Sequence, residues 1–263
     1  NTSSITLELL RKDLIEPEKF IGLHFFNPVA LLPLVEVIKC GDTSNESLDT
    51  VLSFVKKIGK LPIVCKSSPG FVVNRVLAPY MAEAMYMVME GIPLNVIDEI
   101  AEDFGMPMGP IELIDTVGID IAQNVSNIMI KSFGGVMPSI ISNMVAAGNL
   151  GKKSGQGFYK WDGNKAIKDK ESCPEDHTQI KDRLILPLCN EAMACFHEGI
   201  IDSEEEIDAG IIFGTGFAPF RGGPINYVKE RGVENFINSL RELEKTLDNG
   251  SRFKPNPGWF ELS

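Results

Sequence analysis

A histidine and a glutamate interrupt two apolar runs near the start of the chain, and this feature constrains the fold most. His24 lies in the run Ile21–Phe26, and Glu36 lies twelve positions later in the run Leu34–Ile38. A carboxylate surrounded by leucine, valine and isoleucine is costly to desolvate unless another group pairs with it. We therefore expect two neighbouring strands, joined by the turn-forming segment 27–33, that bring both side chains together at one end of a sheet.

Such a pair has the composition of a general base and the acid that orients it. Imidazole titrates near neutral pH, so it can accept a proton from a hydroxyl. A carboxylate on the other ring nitrogen fixes the tautomer, and a base positioned in this way typically contributes ~10²- to 10⁴-fold in rate. The alternative interpretation is a buried ion pair that only locks two strands, since a histidine in an apolar strand is more often a core residue than a catalyst.

Composition and charge exclude several other kinds of function. The chain has 263 residues, 44% of them hydrophobic, which suits a soluble protein with one large domain or two small ones. No apolar run is near the ~18 residues that span a bilayer, and a formal charge of −11 disfavours nucleic acid or an anionic membrane as the main partner. The five cysteines form no C-x-x-C pair, so we expect a reducing compartment and neither disulfides nor a metal site.

The first 66 residues predict an incomplete α/β domain. A helical stretch at 5–14 precedes the two strand runs, and an amphipathic helix at 46–58 and a strand at 61–66 follow them. This order is that of the back half of an α/β domain. We expect its front half to lie upstream of Asn1.

The pattern becomes almost wholly helical after the Ser-Ser-Pro-Gly segment at 67–70. A long apolar-periodic helix is predicted at 71–90, and shorter helices follow at 96–104, 109–117, 118–132 and 139–147. The glycine-rich segment 151–161 predicts a turn and a short hairpin-like tail. Residues 67–161 are therefore predicted to form a first helical domain, followed by a polar linker at 162–176.

Residues 177–263 are predicted to form a second helical domain that repeats the first. Seven residues recur 108 positions later without a gap: Arg75, Pro79, Glu83, Ala84, Met85, Glu90 and Gly91 return as Arg183, Pro187, Glu191, Ala192, Met193, Glu198 and Gly199. Asp98, Gly109 and Pro110 return as Asp208, Gly223 and Pro224. Two such copies can bury the same apolar face against each other, as identical subunits do. We expect the second copy to be structural, with its tail from Gly250 extended across the surface.

Two further polar residues have two possible roles each. Ser3 either caps a helix, its default role, or donates a hydrogen bond to a substrate oxygen. Asn74 lies in the apolar stretch GFVVNRVL, where it either bridges helices or reaches the same oxygen.

Several motifs together resemble the L-3-hydroxyacyl-CoA dehydrogenases of fatty-acid β-oxidation. They are NTSSI, GLHFFNPV, PLVEVI and SSPGFVVNR, followed by MGPIELID and GKKSGQGFYKW, and they extend over residues 1–161 in the family's order. The resemblance implies a mixed fold, α/β and then mostly α. Residues 1–66 would be the C-terminal half of a Rossmann-like NAD-binding domain, and the helical domains would be of the family's C-terminal type.

The resemblance also implies the substrate, the cofactor and the site. His24 would take the hydroxyl proton of an L-3-hydroxyacyl-CoA while hydride passes to NAD, and Glu36 would orient His24. Ser3 and Asn74 would hydrogen-bond the reacting oxygen, where charge develops. The implied cofactor-binding residues are Asn27, Lys153 and Ser3.

The sequence departs from the family at the cofactor cradle. The family binds the pyrophosphate on a strand, a G-x-G-x-x-G turn and a helix. Gly214 and Gly216 match only the first two glycines, and they lie in the second helical domain. We expect the fingerprint upstream of Asn1, so the isolated 263 residues should bind NAD poorly and turn over slowly or not at all.

The repeated half, with GFAPFRGGP, resembles the end of multifunctional β-oxidation α-subunits. This implies an internal pseudo-dimer of helical repeats and a thiolase subunit as a partner. The home of the protein is either a bacterial cytoplasm or an organelle, and the acidic charge and the lack of a leader-like segment favour the cytoplasm. Two alternatives stay open, namely a dehydrogenase of free 3-hydroxy acids that shares the PLVE-type strand, and a non-catalytic assembly module.

Overall fold

The computed structural model describes residues 6–262, so the predicted site residue Ser3 lies outside the described residues. The described chain divides into two units that each combine distant segments. The first unit contains 6–76, Cys189–Ile237 and 255–262, and the second contains Leu77–Leu188 and Asn238–Lys254. Both units therefore contain segments of both predicted helical domains. The domain boundaries drawn above follow the chain and stay predictions.

A three-stranded sheet belongs to the first unit. Strand β1 (Gly22–Phe25) pairs antiparallel with β2 (Leu34–Lys39), which pairs parallel with β3 (Leu61–Lys66). Parallel neighbours need a crossover connection, and helix α2 (Asn45–Lys57) supplies it between β2 and β3. The order strand, strand, helix, strand is the one that the sequence predicts.

Strand β2 is buried on both faces, as its near-continuous apolar sequence favours. Successive side chains alternate between the faces, so Val35 and Val37 share one face, where they pack with Val55 of α2. Glu36 points to the opposite face together with Leu34. A later helix covers that second face, because a Cβ added at its Gly214 would lie 2.9 Å from the side chain of Leu34.

Helices form most of the remaining chain. Their bounds are α1 Leu7–Arg11, α3 Val73–Met89, α4 Leu94–Phe104, α5 Pro110–Val117, α6 Ile119–Phe133, α7 Ser139–Ala146, α8 Thr178–His197, α9 Glu204–Thr215, α10 Pro224–Arg231 and α11 Val233–Thr246. Among these described helices, none is both long enough and apolar enough to cross a membrane.

An aspartate fixes the first turn of α5. Asp98 accepts hydrogen bonds from the backbone N–H groups of Ile111 and Glu112, at 2.8 and 3.2 Å. These N–H groups have no partner within the helix, so the carboxylate satisfies them. A Cβ at Gly109 would overlap Asp98, which explains the glycine before the helix.

The start of α10, in the predicted second helical domain, is built in the same way. Asp208 accepts from the N–H groups of Ile225 and Asn226, at 2.7 and 3.1 Å. A Cβ at Gly223 would overlap Asp208. The recurring aspartate, glycine and proline of the sequence repeat therefore make the same local structure in both places.

The prediction of an extended surface tail is wrong. The tail instead forms two short 3-10 helices, Gly250–Phe253 and Pro257–Glu261. Trp259 is fully buried, and its ring centroid lies 4.9 Å from that of Phe236. Burial of large aromatic side chains holds the tail against the fold.

The segment 162–176, which is predicted to be a linker, has regular structure at its start. Strand β4 (Lys160–Asp162) pairs antiparallel with β5 (Lys165–Ile167), so the segment begins inside a hairpin. Just after β5, Nζ of Lys168 lies 2.7 Å from Oε2 of Glu112. This ion pair ties the start of the segment to α5.

Candidate active site

His24 and Glu36 stand directly opposite each other on β1 and β2. Nδ1 of His24 lies 2.6 Å from Oε2 of Glu36. The exposed fraction of His24 is 5%, and that of Glu36 is 0%. The structure therefore brings these two side chains into hydrogen-bond contact inside the first unit.

The second oxygen of Glu36 faces the start of α3. Oε1 accepts hydrogen bonds from the backbone N–H groups of Val72 and Val73, each at 2.9 Å. The N–H groups at a helix start are unpaired and carry partial positive charge, so they stabilise a carboxylate. Both oxygens of Glu36 thus have partners, as a buried charge requires.

A strained residue precedes these two amides. Phe71 has φ 53°, a left-handed conformation that costs a bulky residue on the order of 1–3 kcal/mol. Its ring is fully buried, and its centroid lies 5.5 Å from that of His24. Phe26 lies closer, with a centroid distance of 4.6 Å. The two rings form an apolar surround for the imidazole.

The contact with Glu36 assigns the tautomer of His24. An ionised carboxylate only accepts hydrogen bonds, so a neutral His24 holds its proton on Nδ1. Nε2 then has the lone pair that can accept a proton. In chemical terms, the arrangement is a base whose orientation and tautomer are fixed by a buried acid.

The other predicted site residues lie in different places. Asn74 is the second residue of α3 and is half-buried. Asn27 is exposed just after β1. Lys153 belongs to the second unit, where its Nζ lies 2.5 Å from Oδ1 of Asp120.

Sequence reasoning missed the two backbone amides that hold Glu36. The Pro-Gly dipeptide at 69–70 signals a turn before a helix, and the apolar stretch after it signals the helix. Neither signal indicates which carboxylate the first N–H groups face. The only available clue was the need of Glu36 for more than one partner.

A buried thiol also lies near Glu36. Cys65 of β3 is fully buried, and it stands opposite Ile38 of β2. Burial raises the pKa of Cys65 well above its ordinary value, and the Glu36 carboxylate adds to the effect. The thiol is therefore neutral and unsuited to act as a nucleophile.

Comparison with solved structures gives the fold. One similar structure is the crystal structure of 3-hydroxybutyryl-CoA dehydrogenase from Escherichia coli K12, with a TM-score of 0.86. The alignment includes 100% of the present chain and 74% of the E. coli chain. The sequence identity is 24%, so this similarity shows the fold alone. A second similar structure is the dehydrogenase part of multifunctional enzyme 1 from C. elegans, with a TM-score of 0.73 and 27% identity. That alignment includes 100% of the present chain and 64% of the C. elegans chain.

Comparison with family models gives the family. The model described as 3-hydroxyacyl-CoA dehydrogenase, NAD binding domain, matches residues 1–68. The model described as 3-hydroxyacyl-CoA dehydrogenase, C-terminal domain, matches residues 70–161. The chain belongs to the 3-hydroxyacyl-CoA dehydrogenase family.

A curated relative extends the similarity to the rest of the chain. The fatty acid oxidation complex subunit alpha of Colwellia psychrerythraea is 41% identical over 289 aligned positions, which cover 100% of this chain and 39% of that protein. The chain thus spans about two fifths of the length of the curated relatives that it matches.

The dependence of the fold on the ionised Glu36 can be tested with Glu36→Gln. An amide NH₂ group would face either the Val72 and Val73 N–H donors or the Nδ1–H of His24. We expect the free energy of unfolding to fall by about 1–3 kcal/mol, because buried donors lose their acceptor. Urea unfolding measures the change. Glu242→Gln, at an exposed position in α11, is the matched control. Equal stability of the two variants would contradict the account.

Proposed function

We propose that His24 is the general base of an NAD-dependent oxidation of L-3-hydroxyacyl-CoA to 3-ketoacyl-CoA. The observation that supports this role is the 2.6 Å contact between His24 and Glu36, which leaves Nε2 to accept the proton. Membership of the 3-hydroxyacyl-CoA dehydrogenase family supports the reaction class. The name of the curated relatives supports a place in fatty acid oxidation.

In the proposed reaction, His24 removes the proton from the 3-hydroxyl group. NAD, when bound, would supply the acceptor for the hydride of C3, so that the C–O bond could become a carbonyl. Glu36 stabilises the imidazolium that forms, and a base held in this way typically contributes ~10²- to 10⁴-fold in rate. Asn74 donates a hydrogen bond to the reacting oxygen, and Ser3 does the same by its position in the NTSS motif.

The residues present fit only part of NAD. The parallel strands β2 and β3 with the crossover helix α2 are the type of sheet that binds a dinucleotide, and Asn27 and Lys153 are the proposed contacts near the nicotinamide. The turns that follow β1, β2 and β3 lack the G-x-G-x-x-G sequence. Gly216 instead ends α9 as a left-handed C-cap. We therefore propose that these 263 residues alone bind NAD weakly.

The second helical domain is proposed to pack with the first as an internal pseudo-dimer. Arg75 pairs with Glu191 and Glu198, and these two glutamates are the repeats of Glu83 and Glu90. Arg183, the repeat of Arg75, pairs with Glu83 and Glu90 in turn. Reciprocal contacts of this kind are the mark of an isologous interface, which supports the proposal.

We further infer that the sequence serves in a multifunctional α-subunit. Relatives named as subunit alpha of a fatty acid oxidation complex support this inference. A thiolase subunit is the proposed partner, on the strength of the motif resemblance. The strongly acidic charge supports a cytoplasmic location.

Replacement of the proposed base tests the function. In the protein expressed from its complete gene, we expect His24→Gln to lower kcat for L-3-hydroxyacyl-CoA by about 10²- to 10⁴-fold, because no group then takes the proton. The matched control is His177→Gln, which removes an imidazole before α8. Reduction of NAD, followed by absorbance, measures the rate.

The same assay separates the other functions. Unchanged kcat in His24→Gln, with an intact assembly by size-exclusion chromatography, would favour a non-catalytic assembly module. Faster turnover of a free 3-hydroxy acid than of its CoA thioester would favour the free-acid dehydrogenases. We expect neither result.

Weak cofactor binding can be tested on the 263 residues alone. We expect isothermal titration calorimetry with NADH to give a Kd weaker than about 1 mM, because the turns after β1, β2 and β3 lack the G-x-G-x-x-G sequence that would hold the pyrophosphate. Circular dichroism on the same sample establishes that it is folded. Micromolar binding to the folded chain would contradict the proposal.

A further inference from the structure

Arg75, in the first turn of α3, forms hydrogen-bonded ion pairs with two glutamates of the second helical domain. The side chain of Arg75 is only 3% exposed, and its Nε donates to Oε1 of Glu191 at 2.7 Å. Its two terminal nitrogens donate to the two oxygens of Glu198, each at 2.7 Å. Glu191 lies in α8, and Glu198 follows the last residue of that helix.

This contact fixes orientation as well as charge. A planar guanidinium with two parallel hydrogen bonds to one carboxylate is held in a defined direction, which a single point contact cannot achieve. Removal of one partner of a buried ion pair leaves an unpaired buried charge, which strongly lowers the stability of the fold. An exposed ion pair contributes little to stability. The first turn of α3 is therefore fastened to the last turns of α8.

The fastened turn is also the one that holds Glu36. Val72 and Val73 immediately precede Asn74 and Arg75, and their N–H groups donate to Oε1 of Glu36. The backbone N–H of Val76 donates to the carbonyl of Val72 at 2.9 Å, which closes the turn around Arg75. A shift of this turn would therefore move the amides that position Glu36.

The strain at Phe71 gives a reason for such an external anchor. A bulky residue with φ 53° persists only where its surroundings impose that conformation. Phe71 lies directly before the two amides, so release of the turn would also release the strained backbone. The Val72 and Val73 amides would then no longer point at Glu36, and their hydrogen bonds to it would be lost.

We propose that Arg75 is a positioning residue for the His24–Glu36 pair, and that Glu191 and Glu198 make the activity of the pair depend on the second helical domain. The proposal rests on the proposed function of His24. It gives the repeat a task in catalysis, in place of the purely structural role expected from the sequence.

The repeat supplies an internal control for this proposal. Arg183 is equally buried, and it donates to Glu83 at 2.7 Å and to the two oxygens of Glu90 at 2.5 and 2.8 Å. The N–H of Lys181, the repeat of Val73, donates to the carbonyl of His177 and therefore does not face a carboxylate. Each cluster thus has an arginine held by two glutamates, and Glu83 also accepts a hydrogen bond from Arg252 at 2.7 Å. Of these two clusters in the described chain, that of Arg75 is the one that adjoins the amides facing Glu36.

The test compares Arg75→Gln with Arg183→Gln in the protein expressed from its complete gene, well below the unfolding temperature of each variant. We expect Arg75→Gln to lower kcat by about 10- to 100-fold with KM changed less than about threefold, because the base is misplaced while substrate binding persists. We expect Arg183→Gln to lower the Tm similarly and to leave kcat within about twofold of the wild-type value.

Two further variants keep the test decisive if Arg75→Gln fails to fold. Arg75→Lys retains the charge without the bidentate contact, so we expect an intermediate kcat. Glu198→Gln removes the charge of a residue that is 48% exposed, which spares the core, and we expect kcat to fall in the same direction.

Each outcome decides between the proposals. If folded Arg75→Gln or Glu198→Gln retains the wild-type kcat while His24→Gln loses it, the positioning role is overturned and the proposed function stands. If Arg75→Gln and Arg183→Gln both lose kcat in proportion to their loss of Tm, the effect is structural and the positioning role is again overturned. Retention of kcat in His24→Gln overturns the proposed function itself.

Discussion

The buried charge of Glu36 is the constraint on which the first unit depends. A carboxylate with no exposed surface needs donors for both oxygens, and it obtains them from His24 on one side and the Val72 and Val73 amides on the other. Those donors in turn determine the register of β1 against β2 and the place where α3 begins. The strained backbone of Phe71 directly precedes these amides, and it orients them toward Glu36 at an energetic cost.

Much of this arrangement could be predicted because it leaves a pattern in the sequence. Apolar runs of strand length gave β1 to β3, periodicity gave α2 to α7, and polar interruptions singled out His24 and Glu36. The hydrogen bonds from the Val72 and Val73 amides to Glu36 could not be predicted. Every residue other than proline has a backbone N–H group, so the sequence does not mark which of these groups face a carboxylate. A hairpin-like tail was predicted for 151–161, but strand β5 was missed because a three-residue strand is too short to show a period. Burial of Trp259 depends on partners far away in the chain.

The repeat shows how one set of residues serves two places in the fold. The arginine and glutamate positions make similar ion clusters in the two units, with Arg252 as an additional donor to Glu83, and the aspartate and glycine positions start α5 and α10 alike. The amides that hold Glu36 belong to the first copy, whereas helix α9 of the second copy covers the face of β2 to which Glu36 points. The family comparisons identify the kind of protein, whereas the roles of individual residues rest on the geometry around Glu36.

The measurement that tests this account most directly is the tautomeric state of His24. In protein labelled with ¹⁵N-histidine, a long-range proton–nitrogen correlation spectrum distinguishes protonated from unprotonated ring nitrogens, and the signal lost in His24→Gln assigns the residue. The account predicts a proton on Nδ1 and none on Nε2 in the neutral ring, because Glu36 accepts only at Nδ1. A neutral ring protonated at Nε2 would contradict it.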